Sequence, residues 1–470
     1  MRKLFSTQDK DVYRQFSNVN LPRHTSYPIV PFWQKDWDHF KYEPELISSL
    51  KEKSEISLYV HIPFCRQLCY YCACNKTIVP DEVRRSKDPS HAYLMNIARE
   101  LKILFDHIGR KKIVQLHLGG GSPTFLKSSQ ITLLIEQIAT WFDLEGCEDM
   151  AVEIDPRVTT REQLRLLKDL GFNRVSLGVQ DFDKKVQTAI NRVQDFNLVE
   201  TFVGWVRELG FKSLNFDLIY GLPFQTVETV KDTVNKVIKL SPDRIAYYRL
   251  ALIPEVYKWQ KQFASSDVPS GDDMLSFNEV VLSSLLEHYE WIGFDHFAKE
   301  TEALAKSVED GSVRRNFQGM TTGKTLPIVG VGPSAISDLG GVYSQNEKSL
   351  KAWAEKLEKG FLPVASGLSL SKQDVIRKDL INSLYGSGVV DLNAYIAKSR
   401  EVGVQIDFKT ELARLSELVE LGLVVFESGI VRLTKPLGRS LARVVGAVFD
   451  PYLGMHAFRN GVNVVSLSKV

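Results

Sequence analysis

The chain has 470 residues, 44% hydrophobic and 25% charged, more than one core usually encloses, so a large domain with at least one smaller partner is expected. Its 59 basic and 57 acidic side chains nearly cancel, which excludes an overall field that would draw it to nucleic acid or an acidic membrane. No apolar run is long enough to span a membrane, and "MRKLFSTQDKDVYRQF" turns polar before a secretory h-region forms, so a cytoplasmic protein is expected.

In chain order, residues 1–50 read as an N-terminal arm, extended because Pro22, Pro28 and Pro31 interrupt "LPRHTSYPIVPFW". From residue 51 to 363, short β-branched runs alternate with amphipathic helical patterns. The predicted strands are "SLYVHI", "IVQLHLG", "MAVEID", "RVSLGVQ", "SLNFDLIYG" and "RIAYYRLAL". One of the helices between them, "REQLRLLKDLG", opens on Thr160 and Gln163 at capping-box spacing and closes on Gly171. Such alternation predicts an α/β fold with a parallel sheet curved into a full or partial barrel. After Pro363, residues 364–470 read as a smaller, mostly helical domain with a hairpin at Glu427–Gly429, similar to a winged helix.

Chemistry in such folds gathers at the C-terminal ends of the strands. Unusual residues fall there: four cysteines after the first strand, "GGGSPT" after the second, Glu153 and Asp155 at the third, Gln180 at the fourth and Asp217 at the fifth. The cysteines, Cys65, Cys69, Cys72 and Cys74, are spaced C-x3-C-x2-C-x-C, and the chain has one other, Cys147. A zinc site normally pairs two knuckles across a longer gap, and no second knuckle is present. Three thiolates from one tight loop suit a 4Fe–4S cluster with an open iron, although spacing alone leaves zinc or free thiols open. Read singly, the glycine loop is a tight turn as readily as a cofactor cradle. Glu153 and Asp217 alone fit helix caps or ion pairs, Arg192 fits a surface charge, and His61 and His117 fit core histidines.

The spacing C-x3-C-x2-C, with Tyr71 before its third cysteine and placed after the first strand of a β/α series, resembles the radical S-adenosylmethionine (SAM) superfamily. That resemblance implies a partial (β/α)6 barrel and a 4Fe–4S cluster whose open iron is chelated by SAM. An electron then cleaves SAM to a 5'-deoxyadenosyl radical that abstracts hydrogen. The segments "PRHTSYP", "LYVHIPFC", "LGGGSPT", "EIDPR", "LGVQDF", "DLIYGLP", "DHFAK", "RNFQGMTT" and "AVFDPYL" narrow the likeness. Their order resembles that of the oxygen-independent coproporphyrinogen III oxidase family.

The resemblance implies oxidative decarboxylation of two propionates of a tetrapyrrole in haem biosynthesis, with Cys65, Cys69 and Cys72 as cluster ligands. It places Tyr59 and Cys74 at the catalytic centre, Cys74 without a role as ligand. It assigns the first SAM to Tyr59, Gly120, Gly121, Ser122, Glu153, Gln180, Arg192, Asp217 and Ile219. A second SAM falls to surroundings that include Ala251, Phe317, Gln318 and Ile336. Expected partners are the tetrapyrrole and an electron donor such as flavodoxin or ferredoxin, with no nucleic acid, in a monomer. Arg23, Arg314 and Arg315 are candidate cations for the substrate's carboxylates. Leu250 and Leu252 in "RLALIP" depart from the family's tyrosine and histidine there. A tetrapyrrole methyltransferase or a haem chaperone of the same superfamily is the alternative reading.

Overall fold

The predicted β-branched runs form strands buried on both faces, as a parallel sheet covered by helices requires. They are β1 (Glu55–Ile62), β2 (Lys112–Gly120), β3 (Asp149–Ile154), β4 (Arg174–Gln180), β5 (Ser213–Tyr220) and β6 (Arg244–Arg249). In this computed structural model the described residues are 4–17, 19, 21–322 and 326–453, so residues 454–470 of the expected C-terminal domain lie outside them. The chain divides into two compact units, one of residues 34–218 and 325–369, the other of the remaining segments.

In the first unit β1 to β5 pair in parallel and in sequence order. The register sets Ile62 of β1 opposite Gly120 of β2, and Gly178 of β4 opposite Asp217 of β5. Strand ends are thereby aligned along one edge, and this alignment positions the site. Beyond β1 the sheet continues through Ile328–Val331, which is parallel to β1, then through antiparallel Ile336–Asp338, Val342–Asn346 and Val364–Ser369. The helices between strands follow their apolar stripes: Ser90–Ile108 buries Leu94, Ile97, Leu101, Leu104 and Ile108. The Thr160 capping box forms, its hydroxyl accepting from Gln163 N while Gln163 returns a bond to Thr160 N, and Gly171 takes φ +99° after the helix.

In the second unit β6 pairs antiparallel with His296–Ala298, which pairs in turn with Glu290–Gly293. Helices Lys372–Gly386, Leu392–Glu401 and Lys409–Glu420 precede the expected hairpin, whose strands Val424–Glu427 and Ile430–Leu433 join Val389–Asp391 in a small sheet.

The N-terminal segment is less extended than expected. Thr7–Ser17 is a helix of the second unit, and His39–Leu50 is a helix of the first, with Pro44 inside it. Prolines constrain themselves and the residue before them, whereas burial of Tyr42, Leu46 and Leu50 at helical spacing decides the neighbouring turns. Among the described residues no helix is long and apolar enough to cross a membrane.

Candidate active site

The cysteine loop leaves β1 and is closed at its base by a short parallel ladder, Phe64 opposite Thr77 and Cys65 opposite Ile78. Lys76 Nζ donates to the carbonyls of Cys72 (3.0 Å) and Cys74 (3.2 Å), which fixes the loop's last turn. The segment after β4 clamps the loop's outer side: Asn191 Nδ2 donates to Leu68 O (2.7 Å), and Tyr70 N donates to Ile190 O (3.0 Å).

All four clustered thiols line one cavity of about 590 Å3. Gly120, Gly121, Ser122, Glu153, Gln180, Arg192 and Asp217, all predicted from sequence, line the same cavity. Gly119 and Gly120 need to be glycine because side chains of β1 and β3 crowd them. A Cβ on Gly119 would stand 2.8 Å from Glu153 Oε1 and 3.0 Å from Tyr59, and one on Gly120 would stand 2.6 Å from the His61 ring. The triad is therefore a close-packed turn that also bares its backbone to the cavity. Gln180 holds φ +67° while buried, a strained placement for a residue with a Cβ.

The acids are held by named partners. Glu153 accepts from His117 Nε2 at 3.0 Å and from Gly120 N at 3.1 Å. Burial pushes its carboxyl up, but His117 and Gly120 more than offset this and hold it below the ordinary range. Asp217 accepts from Ser176 Oγ (2.9 Å) and Asn215 Nδ2 (3.0 Å), and burial first, then the Glu153 charge, push it up to about 6. Asp155 is brought down to about 2: burial opposes ionisation, but Arg192 at 3.1 Å and Arg157 at 2.7 Å overcome it.

The sequence is similar over residues 59–237 to the radical SAM superfamily. It is 39% identical to the oxygen-independent coproporphyrinogen III oxidase of Pseudomonas aeruginosa over 95% of this chain and 96% of that protein. With the enzyme of the same name from Helicobacter pylori identity is 37% over 95% and 97% of the two chains. The chain belongs to the oxygen-independent coproporphyrinogen III oxidase family. The solved structure of the Escherichia coli coproporphyrinogen III oxidase, a radical SAM enzyme, superposes with a TM-score of 0.85 at 33% identity, covering 93% of this chain and all of that one.

The donor set fits the iron–sulfur cluster and SAM that this oxidase family implies. Burial, with Cys72 and Cys69 nearby, pushes the Cys65 thiol up to about 12, a cost that a bound cluster's positive charge would remove. Among the described residues no three His, Cys, Asp or Glu side chains converge to hold a single metal ion, whereas thiols spread around a loop suit a multi-iron cluster. Arg192, buried to 7% exposure, is no surface charge: it donates to Gly178 O (2.8 Å) and Asp155, and its Nε is buried with no hydrogen-bond partner. That donor is available to a ligand carboxylate.

Tyr59 lies behind the cavity wall, its hydroxyl 3.1 Å from His61 Nδ1, while His61 Nε2 reaches Asn75 O at 2.9 Å. His61 is thus satisfied at both nitrogens, whereas His117 bonds Glu153 through Nε2 and leaves Nδ1 buried without a hydrogen-bond partner, and the two rings position Tyr59 and Glu153. Arg157, 3.6 Å from Cys69 Sγ, escaped the sequence reading, and its place two residues after Asp155 is the signal that pointed to it. Ile336 lies on the strand Ile336–Asp338. Ile219, Ala251, Phe317 and Gln318 belong to the second unit, where Ala251 O accepts from Gln260 Nε2 and Phe317 packs edge-on against Trp33.

Proposed function

We infer that this chain is an oxygen-independent coproporphyrinogen III oxidase that converts two propionates of coproporphyrinogen III to vinyl groups in haem biosynthesis. Each turnover removes one hydrogen atom from the propionate β-carbon, one CO2 and one electron. A C–H bond of that strength yields to no side-chain base, so the cofactor carries the step. When bound, the cluster supplies the electron that turns SAM into the hydrogen-abstracting agent.

The remaining roles belong to the chain. Cys65, Cys69 and Cys72 are assigned to the cluster, leaving one iron for SAM. Glu153, with each oxygen occupied on one side by His117 or Gly120, keeps lone pairs to accept from SAM's amino group. Arg192 Nε is assigned to the carboxylate. Gln180 and Asp217 are assigned to the ribose hydroxyls, the latter ionised above about pH 6. Ile219, Ala251, Phe317, Gln318 and Ile336 are assigned to the remainder of the two SAM sites, and Tyr59 and Cys74 to the catalytic centre. A cytoplasmic location, a monomeric state and reduction by flavodoxin or ferredoxin complete this reading.

The observation that carries this reading is the convergence of the cysteine loop, glycine turn and strand-end acids on one cavity. Anaerobic reconstitution followed by SAM, reductant and coproporphyrinogen III tests it: monovinyl and divinyl products are expected. Formation of 5'-deoxyadenosine without decarboxylation would assign the chain to another radical SAM reaction.

A further inference from the structure

Two guanidiniums reach the sulfur of one cysteine assigned to the cluster. Arg157 Nη2 and Arg192 Nη1 each lie 3.6 Å from Cys69 Sγ, a hydrogen-bond length for an acceptor as large as sulfur. A thiol accepts weakly, whereas a thiolate accepts with charge assistance, so both contacts strengthen when Cys69 ligates iron. Cys69 is 7% exposed, and little water competes for its sulfur.

Arg192 already has a place at the carboxylate of SAM, but Arg157 has none in that chemistry. Its aim at Cys69 is fixed from two sides. Its Nε lies 3.0 and 3.2 Å from the two oxygens of Asp155, its Nη2 donates to Oδ2 at 2.7 Å, and its backbone N donates to Oδ1 at 3.0 Å. The arginine and the carboxylate thus close a tight turn at the end of β3. On the other side Nη1 lies 3.4 Å from Gln67 Oε1, and Gln67 Nε2 donates to Asn191 Oδ1 at 2.8 Å. Gln67 belongs to the cysteine loop, so one guanidinium is tied to the strand end and to the loop together. Burial opposes its charge, and the bond to Asp155 more than offsets this. Asp155 faces both guanidiniums and balances one of their charges, while the Tyr71 hydroxyl, which also bears on Arg192, is held neutral by burial.

We propose that Arg157, together with Arg192, raises the reduction potential of the cluster by donating hydrogen bonds to Cys69 Sγ. This rests on the oxidase reading above and on Cys69 as a ligand. A cluster held by thiolates becomes more negative by one charge when it is reduced, and N–H donors aimed at a ligand sulfur favour that state. The step they ease is the passage of one electron from the reduced donor protein to the cluster, in which no bond is made and no proton moves. Arg157 acts through Cys69 and touches no reacting atom, so it is a positioning residue. The two arginines divide the work: Arg192 spans the ligand sulfur and the SAM site, and Arg157 serves the sulfur alone.

Full-length reconstituted enzyme carrying Arg157→Gln or Arg157→Lys tests this by anaerobic titration with dithionite, the reduced cluster being followed by its EPR signal. The Gln variant is expected to lower the equilibrium constant for reduction about tenfold or more, which is ~59 mV for a one-electron couple. The Lys variant is expected to fall between Gln and the parent, because lysine keeps the charge without the fork that bonds Asp155 and Cys69 together. Iron content is expected to hold in both. A parental potential in the Gln variant, whatever its melting temperature, would make Arg157 an ion-pair partner of Asp155 alone and overturn the proposal. A parental potential with a raised KM for SAM would also overturn it, by showing that Arg157 acts only through Arg192. Loss of iron from both variants would overturn it by assigning Arg157 to cluster assembly. Should only the Lys variant take up a cluster, a potential equal to the parent's overturns it and a lower one supports it. If Cys69→Ser keeps the parent's iron, or the parent takes up no reducible cluster, it is the ligand assignment or the oxidase reading that falls.

Discussion

Asp217 shows a functional group maintained against its own stability. It is held by Ser176 and Asn215, yet burial and the nearby Glu153 raise its carboxyl to about 6. The folded state therefore binds this proton more tightly than the unfolded chain, so the group favours folding in acid and loses that contribution as pH rises through about 6. Asp217→Asn keeps an acceptor for Asn215 and removes the charge. At pH 8 the variant is expected to melt no lower than the parent while SAM binding weakens about tenfold or more. A lower melting temperature with intact SAM binding would make Asp217 structural. The thiols separate in the same way. Cys65 lies at the base of the loop, half-buried, and Cys74 is exposed. Cys65→Ser is expected to lose the cluster, and Cys74→Ser to retain parental iron content. Equal loss of iron from both would refute the ligand assignment.

Glu100 ties one helix to three other elements. Its Oε2 accepts from Gly332 N and Trp353 Nε1, both at 2.9 Å, and its Oε1 accepts from Asn346 Nδ2 at 2.6 Å. Gly332 follows the strand parallel to β1, Asn346 ends Val342–Asn346 and Trp353 lies in Leu350–Glu358, so one carboxyl fastens the sheet's extension to helix Ser90–Ile108. Burial pushes it up to about 7 despite three donors. Stability from this group is therefore present below the ordinary carboxylate range and is lost as pH rises through about 7. Glu100→Gln sets an amide NH2 against donors, and it is expected to cost about 1–3 kcal/mol at pH 6 and to flatten the fall in stability from pH 6 to 8.5. Urea unfolding midpoints at the two pH values check both points. A Gln variant with the parent's midpoints would show that the donors are otherwise satisfied.

At the scale of the molecule, six strands, the helices between them and most of the cavity lining were legible because each is written in local periodicity or in the residue after a strand. The strand Ile328–Val331, paired with β1 across a sequence separation of hundreds of residues, carries no local mark of its partner, and "PIVGVGP" fits a loop as well as a strand. The N-terminal segment was misread because its prolines outweighed its apolar spacing. Phe5, Tyr13, Phe16, Leu21, Tyr27, Ile29 and Trp33 are each under 9% exposed, so this segment is part of a core. Lys10 pairs with Glu279, Arg14 with Asp272 and His24 with Asp450, which fastens it within the second unit. Burial of one such side chain contributes roughly 1.5–3 kcal/mol, so losing the set exceeds the few kcal/mol by which most domains are stable. Deleting residues 1–33 is therefore expected to give insoluble protein or to lower the melting temperature by about 10 °C or more, as scanning calorimetry of the reconstituted enzyme would measure. An arm that only gates the substrate would instead raise KM and leave the melting temperature in place, and that outcome would return the segment to the role its prolines first implied.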